Sequence, residues 1–236
     1  EPMLGSMGMI PATSEFLQVL REETSKNDIV LIFDEVITLR QSSGGEQQRH
    51  GITPDLTCMG KIIGGGLPVG GIGGRKDLMD VFNPEAKDTV MHASTFSGNA
   101  LTMAAGMAAL SNFGEDESVR LNKLGDRLRS GFNQTLSQHG IKGQAVGRGS
   151  LSNIIFSNEE IKDSRDTMQA MIDAGHISAL LHLGMLRHGV TSASRLMYCI
   201  STPMDESYID TAISALSESL AELRPYIEAE RPGLLC

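Results

Sequence analysis

The sequence has few aromatic residues, no tryptophan and no excess of positive charge. Aromatic residues make up 4% of its 236 residues, so a packed core must be built from Leu, Ile, Val, Met and Ala. The formal net charge is −9 and lysines and arginines do not cluster. This balance argues against nucleic acid or an anionic membrane surface as a partner, because both attract basic proteins.

Cysteine and histidine patterns that would hold a metal or a disulfide framework are absent too. The three cysteines, Cys58, Cys199 and Cys236, lie far apart, and no CxxC motif is present. An odd number of scattered cysteines is typical of a reducing compartment, so we expect a cytoplasmic protein. The six histidines form no HxxxH or HExxH pattern, and we expect no metal in catalysis.

Long hydrophobic runs are missing as well. The longest unbroken apolar run covers residues 29–33, which is far too short to span a bilayer. Its length and its β-branched residues predict a strand buried on both faces, as in a parallel sheet.

The order of the predicted elements indicates two domains. Strands alternate with helices before about residue 130, and a strand-strand-helix-strand-helix set follows, so we predict domains at 1–130 and 131–236. Residues 37–53 are polar and predict an exposed loop. Apart from the strand at 29–33, the predicted strands are 56–59, 69–74, 141–146, 151–156 and 196–200, and the main helices are 14–25, 100–113 (buried), 115–139, 164–186 and 205–229.

Asp34 and Lys61 are the first candidates for chemistry. Asp34 ends the apolar strand, and ligands of open α/β sheets bind at the carboxyl ends of strands. Lys61 stands before Ile62 and Ile63, apolar neighbours that predict a desolvated amine and hence a better nucleophile. The alternatives are an ion-paired or capping acid for Asp34 and a surface lysine for Lys61. The lysine precedes the glycines at 64–66, which argues against a phosphate-binding P-loop.

Residues 94–99 form a third candidate site. This Ser-Thr-Phe-Ser-Gly-Asn segment directly precedes a predicted helix. Hydroxyls and free N–H groups at a helix start bind phosphate well, although an ordinary helix cap is the alternative.

Together, these motifs closely resemble the class III aminotransferases, and most of all the glutamate-1-semialdehyde 2,1-aminomutases. The similarity rests on Phe-Asp-Glu-Val at 33–36, Thr-Pro-Asp-Leu at 53–56, the Gly-Lys-Ile-Ile-Gly-Gly-Gly segment at 60–66 and Thr-Phe-Ser-Gly-Asn at 95–99. It implies an α/β fold: the pyridoxal 5'-phosphate (PLP)-dependent transferase fold type I, with a mostly parallel central sheet, helices on both faces and a smaller C-terminal α+β domain. Residues 1–130 would be the C-terminal part of the large PLP-binding domain.

The resemblance also implies roles for individual residues. Lys61 would form a Schiff base with PLP and move the substrate proton, Asp34 would pair with the pyridine nitrogen, and Val36 would pack on the ring face. In a homodimer with a shared active site, Thr95 would hold the phosphate of the neighbouring subunit's PLP. The reaction would move an amino group between an amino compound and a keto or aldehyde substrate. A racemase or decarboxylase on the same scaffold, or a catalytically degenerate binding subunit, are the alternatives.

Several features depart from the family pattern. The segment Thr38-Leu39-Arg40 is one residue shorter than usual, Ala100 replaces a common proline, and residues 190–197 are unfamiliar. Within them, Arg195 is either a grip for a substrate carboxylate or a surface arginine. The sequence also opens on Glu1 and lacks a counterpart of the family's N-terminal portion. We therefore expect the C-terminal part of a longer enzyme, which needs the missing N-terminal segment in cis or as a separate chain.

Overall fold

A computed structural model describes all 236 residues, Glu1–Cys236. Contacts divide them into two compact units: Glu1–Pro2 with Ala12–Ser118, and Met3–Pro11 with Val119–Cys236. The main elements in chain order are β1 (Met3–Leu4), β2 (Ile10–Pro11), α1 (Ser14–Lys26), β3 (Ile32–Asp34), α2 (Gly45–His50), β4 (Leu56–Gly60), β5 (Gly70–Gly74), α3 (Lys76–Met79), α4 (Ala100–Ser111), α5 (Glu115–Gln138), β6 (Gln144–Arg148), β7 (Leu151–Ile155), α6 (Ser164–Ala174), α7 (Ile177–Arg187), β8 (Met197–Cys199) and α8 (Glu206–Glu230). The division near Ser118 and the predicted boundary at 130 both fall within α5.

The first unit is built on a three-stranded sheet in the order β3-β4-β5. β3 runs parallel to β4, with Asp34 opposite Cys58, whereas β5 pairs antiparallel with β4. Helix α1 begins where expected, because the Thr13 hydroxyl accepts a hydrogen bond from the Phe16 N–H at 3.1 Å. Its Leu17 packs in a core that also contains Leu31, Phe33 and Ile52.

Two burial predictions for this unit are wrong. The apolar run at 29–33 is not buried on both faces, since Ile32 is 50% exposed while Leu31 and Phe33 point into the core. Successive side chains of a strand point to opposite faces, and only one face of this strand is covered in the chain. Helix α4 forms as predicted but is not buried, because Leu101 and Met107 are 69% and 71% exposed.

The second unit joins an antiparallel sheet, β6-β7-β8, to four helices. Helix α5 forms close to the predicted range 115–139, and it buries a stripe of apolar residues: Leu121, Leu124, Leu128, Phe132 and Leu136. The helix predicted at 164–186 is instead two helices, α6 and α7, because Gly175 adopts a left-handed φ of 59° that ends α6. The β1–β2 hairpin adds Ile10 to a core cluster with Ile155, Ile161 and Ala170.

None of the helices is both long enough and apolar enough to cross a membrane.

Candidate active site

The parallel pairing of β3 and β4 brings Asp34 and Lys61 to the same edge of the sheet. Asp34 is the last residue of β3 and lies opposite Cys58 of β4. Lys61 follows the last residue of β4, Gly60, and opens a 3-10 turn over Lys61–Gly64. An acid and an amine separated by 26 intervening residues of sequence therefore both lie at the carboxyl ends of adjacent strands.

The backbone at Lys61 is unusual. Its φ is 48°, which makes it one of four non-glycine residues with a positive φ. A left-handed lysine costs conformational energy, and such outliers cluster at functional sites. Its side chain is exposed in this chain, so the predicted burial of the amine among apolar neighbours is wrong here. The apolar residues Ile62 and Ile63 of the same turn are half-buried.

Asp34 and Val36 are fixed by one short turn. The Val36 N–H donates to Oδ1 of Asp34 at 3.0 Å, which leaves the exposed carboxylate held at the strand end. Val36 is half-buried beside Gly60: a Cβ built on Gly60 would lie 3.2 Å from Cγ1 of Val36. Val36 thus lies between Asp34, whose carboxylate its N–H holds, and Gly60, the residue before Lys61, while the roles of these residues toward a cofactor ring stay predictions.

The turn that begins at Lys61 sits directly on helix α4. A Cβ built on Gly65 would lie 2.2 Å from the carbonyl oxygen of Ala105. Gly65 also has a left-handed φ of 58°. The glycines after Lys61 therefore serve close helix packing and tight turning, which agrees with rejecting a phosphate loop there.

Thr95 lies in the exposed loop that leads into α4. Within this loop the Ser94 N–H donates to Oγ of Ser97 at 2.9 Å, and Asn99 caps α4 by accepting from the Thr102 N–H at 3.2 Å. The start of α4 is thus capped by Asn99, which is the ordinary helix cap given above as the alternative to a phosphate site. Thr95 is exposed beside this helix start. Its role toward a phosphate stays a prediction.

Comparisons with known proteins agree with this geometry. A sequence profile for the family described as Aminotransferase class-III matches residues 1–202. The chain belongs to the class III aminotransferase family. Enzymes of this family use PLP.

Relatives of this class III chain include both aminomutases and transaminases. It is 40% identical over 227 residues to the glutamate-1-semialdehyde 2,1-aminomutase of Opitutus terrae, covering 94% of this chain and 52% of that protein. The crystal structure of an omega-transaminase from Sphaerobacter thermophilus matches with a TM-score of 0.85 and 39% identity, covering 93% of this chain and 50% of the other. A structure described as a transaminase with PLP bound matches with a TM-score of 0.81 and 31% identity, covering 92% and 49%. The chain thus spans about half the length of these relatives, and its fold-type I class is confirmed.

The structure of the class III chain also shows residues that sequence reasoning missed. Residues 37–53 were predicted as an exposed loop, but they form a 3-10 turn at Thr38–Gln41 and helix α2. The prediction failed because this polar segment is organised around the completely buried side chain of Glu35. The alternation of side chains along β3 could have found it, since Glu35 shares the inward face of Leu31 and Phe33.

The shortened segment after the acidic motif is well anchored in this chain. Thr38 is buried and its hydroxyl donates to Glu35, while the Arg40 guanidinium lies 5.9 Å from the centre of the Phe113 ring. The Ser43 N–H donates to Glu115 at 3.2 Å. The departure from the family pattern at this point is therefore an ordered feature of the first unit.

The Thr-Pro-Asp-Leu motif at 53–56 has a structural role. Asp55 accepts hydrogen bonds from the Leu31 N–H at 2.7 Å, from Arg75 at 3.0 Å and from Arg21 at 3.1 Å. The backbone N–H of Leu31, with the Arg75 and Arg21 guanidiniums, holds the pKa of the Asp55 carboxyl below its usual value. The Asp55 carboxylate therefore connects Arg21 of α1 and Arg75, which follows β5, to the start of β3.

Arg195 belongs to the second unit and is exposed. Its guanidinium donates to the carbonyl oxygen of Ser6 at 2.9 Å. The structure thus describes an exposed arginine that holds a neighbouring backbone segment, and a grip on a substrate carboxylate stays a prediction.

Proposed function

We propose that this chain carries the catalytic lysine and the ring-nitrogen acid of a PLP-dependent enzyme that moves an amino group between an amino compound and a keto or aldehyde compound. The observation that carries the proposal is the placement of Asp34 and Lys61 at the ends of adjacent parallel strands, within a class III aminotransferase chain.

The side chains at this sheet edge fit PLP chemically. An exposed amine on a strained turn can bind the aldehyde carbon of the cofactor, and a carboxylate on the neighbouring strand can pair with its protonated ring nitrogen. Val36 offers an apolar surface for the ring because Gly60 beside it has no side chain. When bound, PLP withdraws electrons from the substrate and so weakens its Cα–H bond.

Each residue then has a role in the reaction. The negative charge of Asp34 favours the protonated pyridine nitrogen, since opposite charges stabilise each other's charged forms. The Lys61 amine would hold the aldehyde carbon of PLP and, as a free amine, would carry the proton at the substrate carbon. The ring nitrogen is para to the carbon that bears the aldehyde, so the two roles place Asp34 and Lys61 at opposite ends of one ring, and two adjacent strands can supply such a pair.

We propose further that the active form is a homodimer with a shared site and contains a polypeptide segment in addition to this chain. Thr95 would bind the phosphate of PLP in the neighbouring subunit. Exposed apolar side chains on α4 and the loop before it, such as Leu101, Met107 and Phe96, suit a covered surface. Ile32 on the outer face of β3 and Ile29 before the strand are each about half exposed, which suits packing by a further segment. Three free cysteines are in keeping with a cytoplasmic location.

An amine-transfer assay tests the function. The full-length protein, loaded with PLP, is incubated with a panel of amines and keto or aldehyde acceptors, including glutamate 1-semialdehyde, and the amino products are measured. Amino transfer that is lost in Lys61→Ala and kept in Lys76→Ala, an exposed lysine of the same unit, is expected. Loss of a carboxyl group or inversion at the α-carbon without amino transfer would replace this function with a decarboxylase or racemase. A protein that binds no PLP would be a degenerate subunit.

A further inference from the structure

We propose that Glu35 is a positioning residue for PLP, which holds Asp34 and Val36 in place from the opposite side of the chain. This inference rests on the proposed function of Asp34 and Val36, and it assigns a task to the second acid of the Asp-Glu pair.

The burial of Glu35 separates it from its two neighbours. Its side chain has 0% exposure, whereas Asp34 is exposed and Val36 is half-buried. Its backbone extends the pairing of β3 with β4, because its N–H donates to the carbonyl of Cys58 at 2.9 Å. The Glu35 side chain therefore points into the unit, whereas the side chains of Asp34 and Val36 on either side of it point outward.

The Glu35 carboxylate is bound by three donors. Oε2 accepts from the N–H of Glu46 at 3.0 Å and Oε1 from the N–H of Gln47 at 2.8 Å, both in the first turn of α2. The Thr38 hydroxyl donates to Oε2 as well. Backbone N–H groups at a helix start stabilise a carboxylate, so the negative charge is compensated without a basic side chain among these donors.

Gly45 shows how closely the structure fits around this carboxylate. A Cβ built on Gly45 would lie 2.7 Å from Oε1 of Glu35, and Gly45 adopts a left-handed φ of 75°. The chain at Gly45 thus passes directly over the carboxylate. Movement of Glu35 is blocked on that side, while its hydrogen bonds restrain it on the other sides.

The anchoring of Glu35 affects the two residues beside it, Asp34 and Val36, which would face the cofactor. The Asp34 carboxylate is held by the Val36 N–H, and Val36 in turn contacts Gly60, the residue before Lys61. Because Glu35 lies between Asp34 and Val36 in the chain, its anchoring to α2 fixes the turn that presents both. A loosened turn would leave the acid and the apolar surface present but poorly aligned with the ring.

The test compares two buried acids of the same unit in the full-length protein. Glu35→Gln keeps the shape of the side chain but replaces one acceptor oxygen with an N–H₂ group, which cannot accept from α2. Asp55→Asn is the matched control: Asp55 is also buried and accepts a backbone N–H, but that N–H belongs to Leu31, the residue before β3. For both variants we would measure PLP affinity, kcat, KM and the thermal stability without PLP. The absorption spectrum of bound PLP is recorded from about pH 6 to about pH 9, a range that includes neutrality.

We expect Glu35→Gln to weaken PLP binding and lower kcat by about tenfold or more, with a shifted PLP absorption profile and a smaller change in KM. Asp55→Asn should keep the wild-type profile even where its thermal stability falls as far as that of Glu35→Gln. Glu35→Asp, which retains the charge at a shorter reach, should restore part of the PLP affinity. Equal PLP affinity and spectra in Glu35→Gln and Asp55→Asn would overturn the inference. A wild-type protein without PLP at Lys61 would instead overturn the proposed function.

Discussion

Gly106 of helix α4 and Ile63 of the lysine turn are in direct backbone contact. A Cβ built on Gly106 would lie 2.2 Å from the carbonyl oxygen of Ile63, and the same region of α4 approaches Gly65. The turn that carries Lys61 is therefore seated on α4, and the position of the lysine depends on a helix that begins 39 residues later in the sequence.

Gly106→Ala tests this seating. Alanine is the better helix former, but its methyl group must push against a backbone carbonyl that cannot rotate away. We expect a net loss of about 2 kcal/mol in the free energy of unfolding and a lower occupancy of Lys61 by PLP. The control is Gly114→Ala, where a Cβ meets no atom within 4 Å. Equal stability of the two variants by chemical denaturation would contradict the seating.

Asp55→Asn tests the tie between α1, β3 and the residue after β5. Asparagine loses the charge that holds both Arg21 and Arg75, and we expect a loss of about 2 kcal/mol in unfolding free energy at pH 7. Asp77→Asn is the control, because the exposed Asp77 pairs with Arg75 at 2.6 Å without reaching β3. A loss in Asp77→Asn as large as that in Asp55→Asn would rule out the special role of Asp55.

The same carboxylate predicts an acid dependence. The pKa of Asp55 is lowered in the folded state by the Leu31 N–H and the two arginines. A lowered folded-state pKa adds stability above the unfolded-state pKa, and this contribution is lost as the pH falls through the folded value. Wild-type stability should therefore fall below about pH 4, with a shallower fall in Asp55→Asn, as measured by urea unfolding at a series of pH values.

Much of the local structure could be predicted from the sequence, because local patterns encode it. The predicted helices at 14–25 and 115–139 correspond closely to α1 (Ser14–Lys26) and α5 (Glu115–Gln138). The order of the motifs that contain Asp34, Lys61 and Thr95 indicated the family, which the family profile over residues 1–202 confirms. These features depend on residues close together in the chain or on a complete motif.

The failed predictions depend on partners distant in sequence. Glu35 gives residues 37–53 their structure by binding the N–H groups of α2, and polarity alone cannot reveal that a polar segment is buried. Composition likewise predicted α4 to be buried, but burial is decided by what covers a helix. Leu101, Lys61 and Ile32 are exposed in the structure of this chain alone. An apolar sequence pattern predicts that a face is covered, but it does not distinguish covering by the same chain from covering by another chain.

Asp34→Asn tests the electrostatic part of the proposed reaction. The asparagine oxygen can still accept from the Val36 N–H, so the turn is kept while the charge near the ring nitrogen is lost. We expect kcat for amino transfer to fall by about 100-fold or more, because catalysis at the substrate carbon relies on this charge. Asp88→Asn, an exposed acid of the same unit, should leave kcat unchanged. A kcat for amino transfer that is unchanged in Asp34→Asn would show that Asp34 has no role at the active site.

Expression of residues 1–236 alone tests the need for a further segment. The half-exposed Ile29 and Ile32 and the more exposed Leu101 and Met107 predict a protein that binds a hydrophobic dye, self-associates and fails to transfer amino groups. The comparison is the full-length protein under the same conditions. A soluble, active transaminase from this chain alone would refute the prediction.

The most direct measurement is the identity of the lysine that binds PLP. The full-length protein is loaded with PLP, reduced with borohydride, digested and mapped by mass spectrometry. We predict the phosphopyridoxyl group on Lys61 and no label at this peptide in Lys61→Ala. A label on another lysine, such as Lys76 or Lys87, in the wild-type protein would contradict the assignment of Lys61 and of the sheet edge that it shares with Asp34.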